Sequence, residues 1–399
     1  MDAIEILLTR GVENIYPSRE ALEKVLRSVK KLRLYQGFDP TGTQFHIGHA
    51  VGFRKLRQWQ DLGHHVIFLI GDGTGQAGDP SGKTRGREKF LTREELRKNA
   101  KDYVMQAAKI VKFDGENPAE ILYNSDWLNK LGLVEILDIA GRITFQQMAE
   151  RDLYQERVKA GELLTLREFF YPLLQGYDSV AMNVDLELGG SDQMFNMLMG
   201  RQLVKSFQNR EKFVMTVPLL TDSKGTKIGK TEGNVIGLTD KPEEFFAKIM
   251  SLSDDAIIPC FTLLTDIPIE ELKNGEYKMK NGENPMALKK QLAFELTKQF
   301  NDEESAKRAQ VEFETRFQQR NVRAANLATI TYAAFTSGPS IVEGTIAAGL
   351  ASSKSEARRL IQQSAVKLDN VLITIPTTPS TQAKSGSVLQ VGRKAIKII

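Results

Sequence analysis

The stretch His64 to Thr84, "HHVIFLIGDGTGQAGDPSGKT", decides which kind of nucleotide fold this chain can build. Val66 to Ile70 is a continuous apolar run, the pattern of a buried strand, and Gly73-Thr74-Gly75-Gln76-Ala77-Gly78 fits the dinucleotide pattern G-x-G-x-x-G. Gly82-Lys83-Thr84 resembles the close of a phosphate loop, but the first glycine of that motif would fall at 77, where the chain has Ala77. Context weighs against both readings. A dinucleotide loop opens directly into a helix whose amides hold the pyrophosphate, whereas Gly78 is followed by Asp79-Pro80-Ser81-Gly82, which reads as a turn. The next helix start is the capping box Thr92 to Glu95, ahead of the apolar positions Val104, Ala107, Ala108 and Val111. A Gly-rich strand exit still admits a ligand close to the backbone, so the ligand has to be read elsewhere.

Outward from this stretch the chain alternates. Residues 18 to 31 begin at a good N-cap, Ser18, and set Leu22, Val25, Leu26 and Val29 on one helical face. A strand follows around Leu32 to Gly37, then a helical stretch from near His46, then Val66 to Ile70. This β-α-β order predicts an α/β fold: a Rossmann-like parallel sheet with ligands at the C-terminal ends of its strands. Asn117 to about Glu162 reads as mostly helical, and Val184 to Gly189 and Val214 to Leu220 as further strands. The last leads into "TDSKGTKIGKTEGN", too polar and glycine-rich for a core. Lys241 to Arg323 is helical and charged, and past Ala325 the chain turns rich in Ser, Thr, Ala and Gly, marking a third unit after a linker near 320 to 332.

The 399 residues suffice for two or three domains. The net charge of +4 is unevenly spread: from Asn326 onward eight Lys or Arg face three acids, a net of +5, so residues 1 to 325 carry −1. A near-neutral body with a basic appendage suggests a polyanion held by the appendage while chemistry proceeds on the body. Cys260 is the only cysteine, which rules out an intrachain disulfide and a thiolate metal cluster and fits a reducing cytoplasm. The N-terminus carries acids within its first five residues and reads as neither signal peptide nor anchor, and the aliphatic runs are too short to span a membrane. A cytoplasmic protein without membrane contact is expected.

All four histidines fall between 46 and 65. His46 and His49, in "FHIGHA", lack a third ligand nearby, and His64 and His65 would face opposite ways on a strand, so no metal ligand is assigned. His46-Ile47-Gly48-His49 fits a phosphate seat instead: the first turn of a helix points its amides and dipole at anions, and Gly48 lets a nucleotide approach. Thr41, in "FDPTGT", can add a hydroxyl. Lys227 and Lys230, three apart in a Gly-bearing loop, can both reach a pyrophosphate as its charge develops.

Together "HIGH" and "KIGKT-EGN" resemble the two signatures of class I aminoacyl-tRNA synthetases, in the right order and separation. The residues between them, "YQGFDPTGTQFHIGH", "GDPSGKT", "YPLLQGYD" and "LGGSDQ", resemble the tyrosyl-tRNA synthetase family of bacterial type across essentially the whole chain. That resemblance implies a catalytic domain over 1–236 with a dimerising helical segment inserted at about 115–165. An α-helical anticodon-binding domain would follow at 237–325, and a small α+β RNA-binding domain, shared with a small-subunit ribosomal protein, at 332–399.

The resemblance also implies roles. Tyr35 and Asp178 would recognise the ring hydroxyl of L-tyrosine, and Asp79, Tyr171, Gln175 and Gln193 its amino and carboxyl groups. Asp39, Gly48, His49, Gly190, Asp192 and Lys230 would hold ATP. Thr41, His46, Lys83, Arg87, Lys227, Lys230 and Thr231 would stabilise departing pyrophosphate, with Mg²⁺ arriving on ATP and no protein metal site. The tyrosine carboxylate, already ionised at neutral pH, attacks the α-phosphate without a general base. Lys354, Arg358, Arg359 and Lys367 would hold tRNA(Tyr) through phosphate and sugar. Three residues depart from the family pattern: Gly229 replaces a serine, Met194 a tryptophan, and Gln36 a cysteine. Two other readings stay open, another nucleotidyltransferase of the superfamily and a non-catalytic RNA-binding paralogue.

Overall fold

Six strands form the first sheet: β1 (Asn14–Tyr16), β2 (Arg33–Phe38), β3 (His65–Ile70), β4 (Glu120–Tyr123), β5 (Leu186–Gly190) and β6 (Phe213–Val217). They belong to a computed structural model that describes residues 2–28, 30–42, 44–79, 91–222, 225, 227–228, 235–281, 284–315, 328–369, 371–392 and 394–399. The strand order is β1-β6-β5-β2-β3-β4, with β1 antiparallel to β6 and every other pair parallel. Val66 to Ile70 is fully buried, as a strand covered on both faces must be.

The expected α/β architecture is present, with four corrections. The sheet is mixed, because the short edge strand β1 runs against its neighbour. β4 lies inside the span read as helical; its four residues are only partly buried, too short and too irregular in polarity to stand out. The helix capped by Ser18 ends at Leu26. Residues 80–82 of the turn read after Gly78 lie outside the described residues, and Gly73 to Gly78, read as a Gly-rich strand exit, contains one turn of helix, Thr74–Ala77. Its leading amides are nonetheless taken: Asn124 Oδ1 accepts from the N–H of Gly73 at 2.7 Å and of Thr74 at 3.4 Å, so a side chain occupies the place of a pyrophosphate. The capping box between Thr92 and Glu95 forms as read.

The chain makes two compact units, Met1–Val311 and Glu312–Ile399. Within the first, the helices after residue 237 pack onto the nucleotide fold: the Arg10 guanidinium donates to the carbonyls of Thr262, Thr265 and Ile267, at the end of the helix Ile257–Leu264. Helices Leu166–Ala181 and Met194–Gln208 approach closely at two glycines; a Cβ on Gly176 would lie 3.1 Å from the Gly200 nitrogen. A Cβ on Gly200 would also lie 2.7 Å from Lys212 Nζ. Gly200→Ala is therefore expected to lower stability by about 1–3 kcal/mol through overpacking, read from urea unfolding.

In the second unit five strands, β7 (Ala328–Ile330), β8 (Val366–Leu368), β9 (Val371–Leu372), β10 (Val388–Val391) and β11 (Lys394–Ile398), take the order β7-β11-β10-β8-β9. Two of its helices are Ile341–Ala347 and Lys354–Gln362, the second capped by Ser353 on the Glu356 amide. Asp369, at φ +48°, starts the hairpin turn between β8 and β9. β7 falls within the stretch read as linker, so this unit's sheet begins before residue 332.

Candidate active site

In an open parallel sheet ligands bind beyond the carboxyl ends of the strands, where the chain's direction of winding reverses. Here β3 and β4 lie to one side of β2, and β5 and β6 to the other. The crevice is thus set between the exits of β2 and β5, and a cleft of about 520 Å³ opens there. Thr41, Asp39 and Asp79 line it, as do His46, Gly48 and His49, and Gly190, Asp192 and Lys227. Tyr35, Tyr171, Gln175, Asp178 and Gln193 line it as well. Lys83, Arg87, Lys230, Thr231 and the departure Gly229 lie outside the described residues.

His46 caps the helix Ile47–Asp61. Its Nδ1 accepts from the Gly48 amide at 3.1 Å, and His49 Nδ1 accepts from the His46 amide at 3.2 Å. A neutral imidazole that accepts at Nδ1 carries its hydrogen on Nε2, so the backbone makes each ring a donor at its far nitrogen. Gly48 is required: a Cβ there would lie 2.9 Å from the His46 ring. The second signature adjoins the first. The same Cβ would come within 3.9 Å of the Ile228 carbonyl, and the Ile47 amide donates to Ile236 O at 3.0 Å. Lys227 Nζ pairs with Asp192 at 3.0 Å beyond β5, so the basic loop is tied to that strand exit. His64, by contrast, is buried, its Nδ1 accepts from the Leu32 amide, and burial pushes its pKa down to about 4: a core group, held neutral.

Tyr171, Gln175 and Asp178 stand at helical spacing on Leu166–Ala181 and share one face. Asp178 is 1% exposed, and each of its oxygens accepts a hydrogen bond, from Asn124 Nδ2 at 3.0 Å and from Trp127 Nε1 at 2.8 Å. Burial pushes its pKa well up, against those two donors. Gln193 Nε2 donates to Asp79 at 3.1 Å, and Asn196 Nδ2 bridges Gln193 and Gln175 at 2.9 Å each. The Tyr35 hydroxyl, just across the pocket, is 2.9 Å from Ser179 Oγ. Gln36 lies against Gly52, with an Oε1 that has no hydrogen-bond partner among the described residues. Met194 Sδ accepts from the Tyr16 hydroxyl at 3.3 Å.

Asp39 accepts from Thr74 Oγ1 at 2.6 Å and from the Tyr171 hydroxyl at 2.8 Å. Burial nevertheless raises its pKa to about 7. Between its ordinary value, about 4, and 7 it is protonated in the fold and ionised in the unfolded chain. The native state then binds more protons, so stability falls as pH rises through that window. Asp39→Asn is expected to flatten this slope, seen as a urea midpoint that drops less than the wild type's between pH 5 and 8.

Sequence reading missed Thr74, Asn124, Trp127, Ser179, Glu187 and Lys212. Asn124 and Trp127 follow β4, the unrecognised strand, so no signal placed them here. Ser179 was within reach, since it continues the helical face of "YPLLQGYD". Glu187 became a neighbour only through register, as the partner of Tyr35 across β2 and β5.

In the second unit Lys354, Arg358 and Arg359 are exposed on one helix, whose Ala357 and Ile361 face the core. Lys354 Nζ pairs with Glu343 at 3.0 Å, and Lys367 lies on β8.

Residues 27–318 match the family model of class I tRNA synthetases (W and Y), and residues 346–381 match the S4 domain. The chain belongs to the class I tRNA synthetases of that group. More particularly, it is 42% identical over 390 residues to the tyrosine–tRNA ligase of Colwellia psychrerythraea, across 97% of this chain and 96% of that one. It is 40% identical over 365 residues to the tyrosine–tRNA ligase of Thermotoga maritima, across 91% and 89%. Among solved structures, a C-terminally truncated mitochondrial tyrosyl-tRNA synthetase of Aspergillus nidulans matches with a TM-score of 0.66 at 25% identity, over 79% of this chain and 94% of that one. The tyrosyl-tRNA synthetase of Archaeoglobus fulgidus complexed with L-tyrosine shares the fold, with a TM-score of 0.61 at 21% identity, over 77% and 100%.

Proposed function

We propose that this chain is a tyrosine–tRNA ligase: it activates L-tyrosine with ATP to tyrosyl-adenylate and pyrophosphate, then transfers tyrosine to the 3′-terminal adenosine of tRNA(Tyr). The observation that carries the reading is one cleft lined by the imidazoles of the first signature, Lys227 of the second, and a buried acid facing a buried phenol. His46, Thr41 and Lys227, with Lys83, Arg87, Lys230 and Thr231, stabilise pyrophosphate as it leaves. Asp39, Gly48, His49, Gly190, Asp192 and Lys230 hold ATP, and Asp79, Tyr171, Gln175 and Gln193 hold the amino-acid backbone. Carboxylate attack needs no base, so the protein's task is positioning and charge stabilisation. Mg²⁺ would arrive with ATP, held by its phosphates. Lys354, Arg358, Arg359 and Lys367 grip tRNA, and we place the enzyme in the cytoplasm, where charged tRNA is used.

We further propose a homodimer. Leu133, Val134, Leu137, Phe145, Val158, Leu163 and Leu166, all within one 34-residue segment, are each at least 60% exposed, and exposed apolar surface of this kind marks interaction sites where it is contiguous. Leu133→Asp with Val134→Asp is expected to turn a dimer into a monomer by sedimentation; a wild type that sediments as a monomer would refute the dimer.

The test of function is ATP–pyrophosphate exchange with tyrosine and phenylalanine side by side. Exchange driven by tyrosine is expected. Binding of tRNA(Tyr) with no exchange would favour the RNA-binding paralogue, and exchange indifferent to tyrosine another nucleotidyltransferase.

A further inference from the structure

Beneath the aromatic pocket lies a charge with no part in the roles given above. Lys212 is fully buried, and its ammonium donates to Ser179 Oγ at 2.7 Å and to Glu187 Oε2. Glu187 Oε1 accepts from Gln175 Nε2 at 3.2 Å, so both carboxylate oxygens are engaged. Burial pulls the Lys212 pKa down, and Glu187 pulls it back up. Ser179 Oγ lies 2.9 Å from the Tyr35 hydroxyl and 3.3 Å from Glu187 Oε2.

Hydrogen counting fixes the first step of the series. An ammonium only donates, so Ser179 accepts from Lys212. Ser179 has one hydrogen of its own, with the Tyr35 hydroxyl at 2.9 Å and Glu187 Oε2 at 3.3 Å to take it; given to Tyr35, it leaves the phenol's hydrogen for a ligand. The positive charge behind Ser179 favours the same sense, because it drives hydrogens along the series away from itself. Were Tyr35 to donate to Ser179 instead, its phenol would have no hydrogen left for a ligand.

We propose that Lys212 is a positioning residue that sets amino-acid specificity: through Ser179 it orders a one-way series of donors, from Lys212 to Ser179 to Tyr35 to the substrate phenol to Asp178. This rests on the ring-hydroxyl roles of Tyr35 and Asp178. In this series the substrate oxygen accepts one hydrogen and gives one. A buried ion pair is often no better for stability than an apolar pair; here it supplies direction to a recognition site. Phenylalanine breaks the series at its one missing atom.

Ser179→Ala tests this while leaving the Lys212–Glu187 pair in place. In ATP–pyrophosphate exchange the expected result is a loss of about tenfold in kcat/KM for tyrosine, carried by KM, with phenylalanine unchanged. Lys212→Met, checked for folding by circular dichroism, approaches the same link from the other end and should narrow the tyrosine-to-phenylalanine ratio alike. An unchanged ratio in a folded variant, or an equal loss with both amino acids, overturns the proposal. A wild type that activates no tyrosine at all overturns the ligase reading and takes this proposal with it.

Discussion

Replacing Asp178 by alanine is expected to lower kcat/KM for tyrosine by about 10² or more while leaving the weak activation of phenylalanine almost unchanged, because a hydrogen bond to a charged group contributes about 1.5–3 kcal/mol and two further donors lose their acceptor. Those donors are Asn124 Nδ2 and Trp127 Nε1, each on its own oxygen of the carboxylate. The substrate phenol would give its hydrogen to the same group. Asp178→Asn is no neutral control: its NH₂ must face one of two N–H donors, so one buried donor is orphaned whichever way the amide turns. Exchange assayed with both amino acids reads the ratio directly. A variant that loses both activities in equal proportion would mean that Asp178 shapes the pocket without reading the hydroxyl.

His46→Ala is expected to slow adenylate formation by about 10²–10³, the usual loss when one donor to developing transition-state charge is removed. Tyrosine affinity should hold, since the imidazole acts on the phosphate side of the cleft. The same change removes a helix cap worth about 1 kcal/mol, which confounds a simple reading of activity. His46→Asn separates the two effects. Asparagine is among the best N-caps, so it should restore the stability of the helix Ile47–Asp61 but not the rate, because its short amide does not reach where Nε2 points. Single-turnover rates and melting curves on both variants check this. Full activity in His46→Asn would make His46 a capping residue and nothing more.

Much of this enzyme was legible before its fold. The buried strand at Val66 to Ile70, the caps at Ser18 and Thr92, and the helix opening at His46 all rest on local chemistry: a run of apolar side chains, or an oxygen or imidazole two or three residues ahead of an amide that needs an acceptor. The two basic signatures were legible for the same reason, because phosphate binding demands particular residue types over a few adjacent positions. The domain bearing Lys354, Arg358 and Arg359 showed itself in a shift of composition and charge.

The tertiary structure decided the rest. Whether "GTGQAG" held a phosphate depended on Asn124, fifty residues away, whose Oδ1 takes the amides that a ligand would need. Asn124 itself follows β4, a strand with no clear alternation of its own that exists by pairing with β3. The Lys212–Ser179–Tyr35 series likewise depends on the β2–β5 register, which sets Tyr35 beside Glu187, and on Gly200, which leaves room for the ammonium. Short-range needs of backbone and charge are written in neighbouring residues. Who satisfies a buried polar group is settled only when distant segments are packed, since any donor of the right length would serve until geometry chooses one.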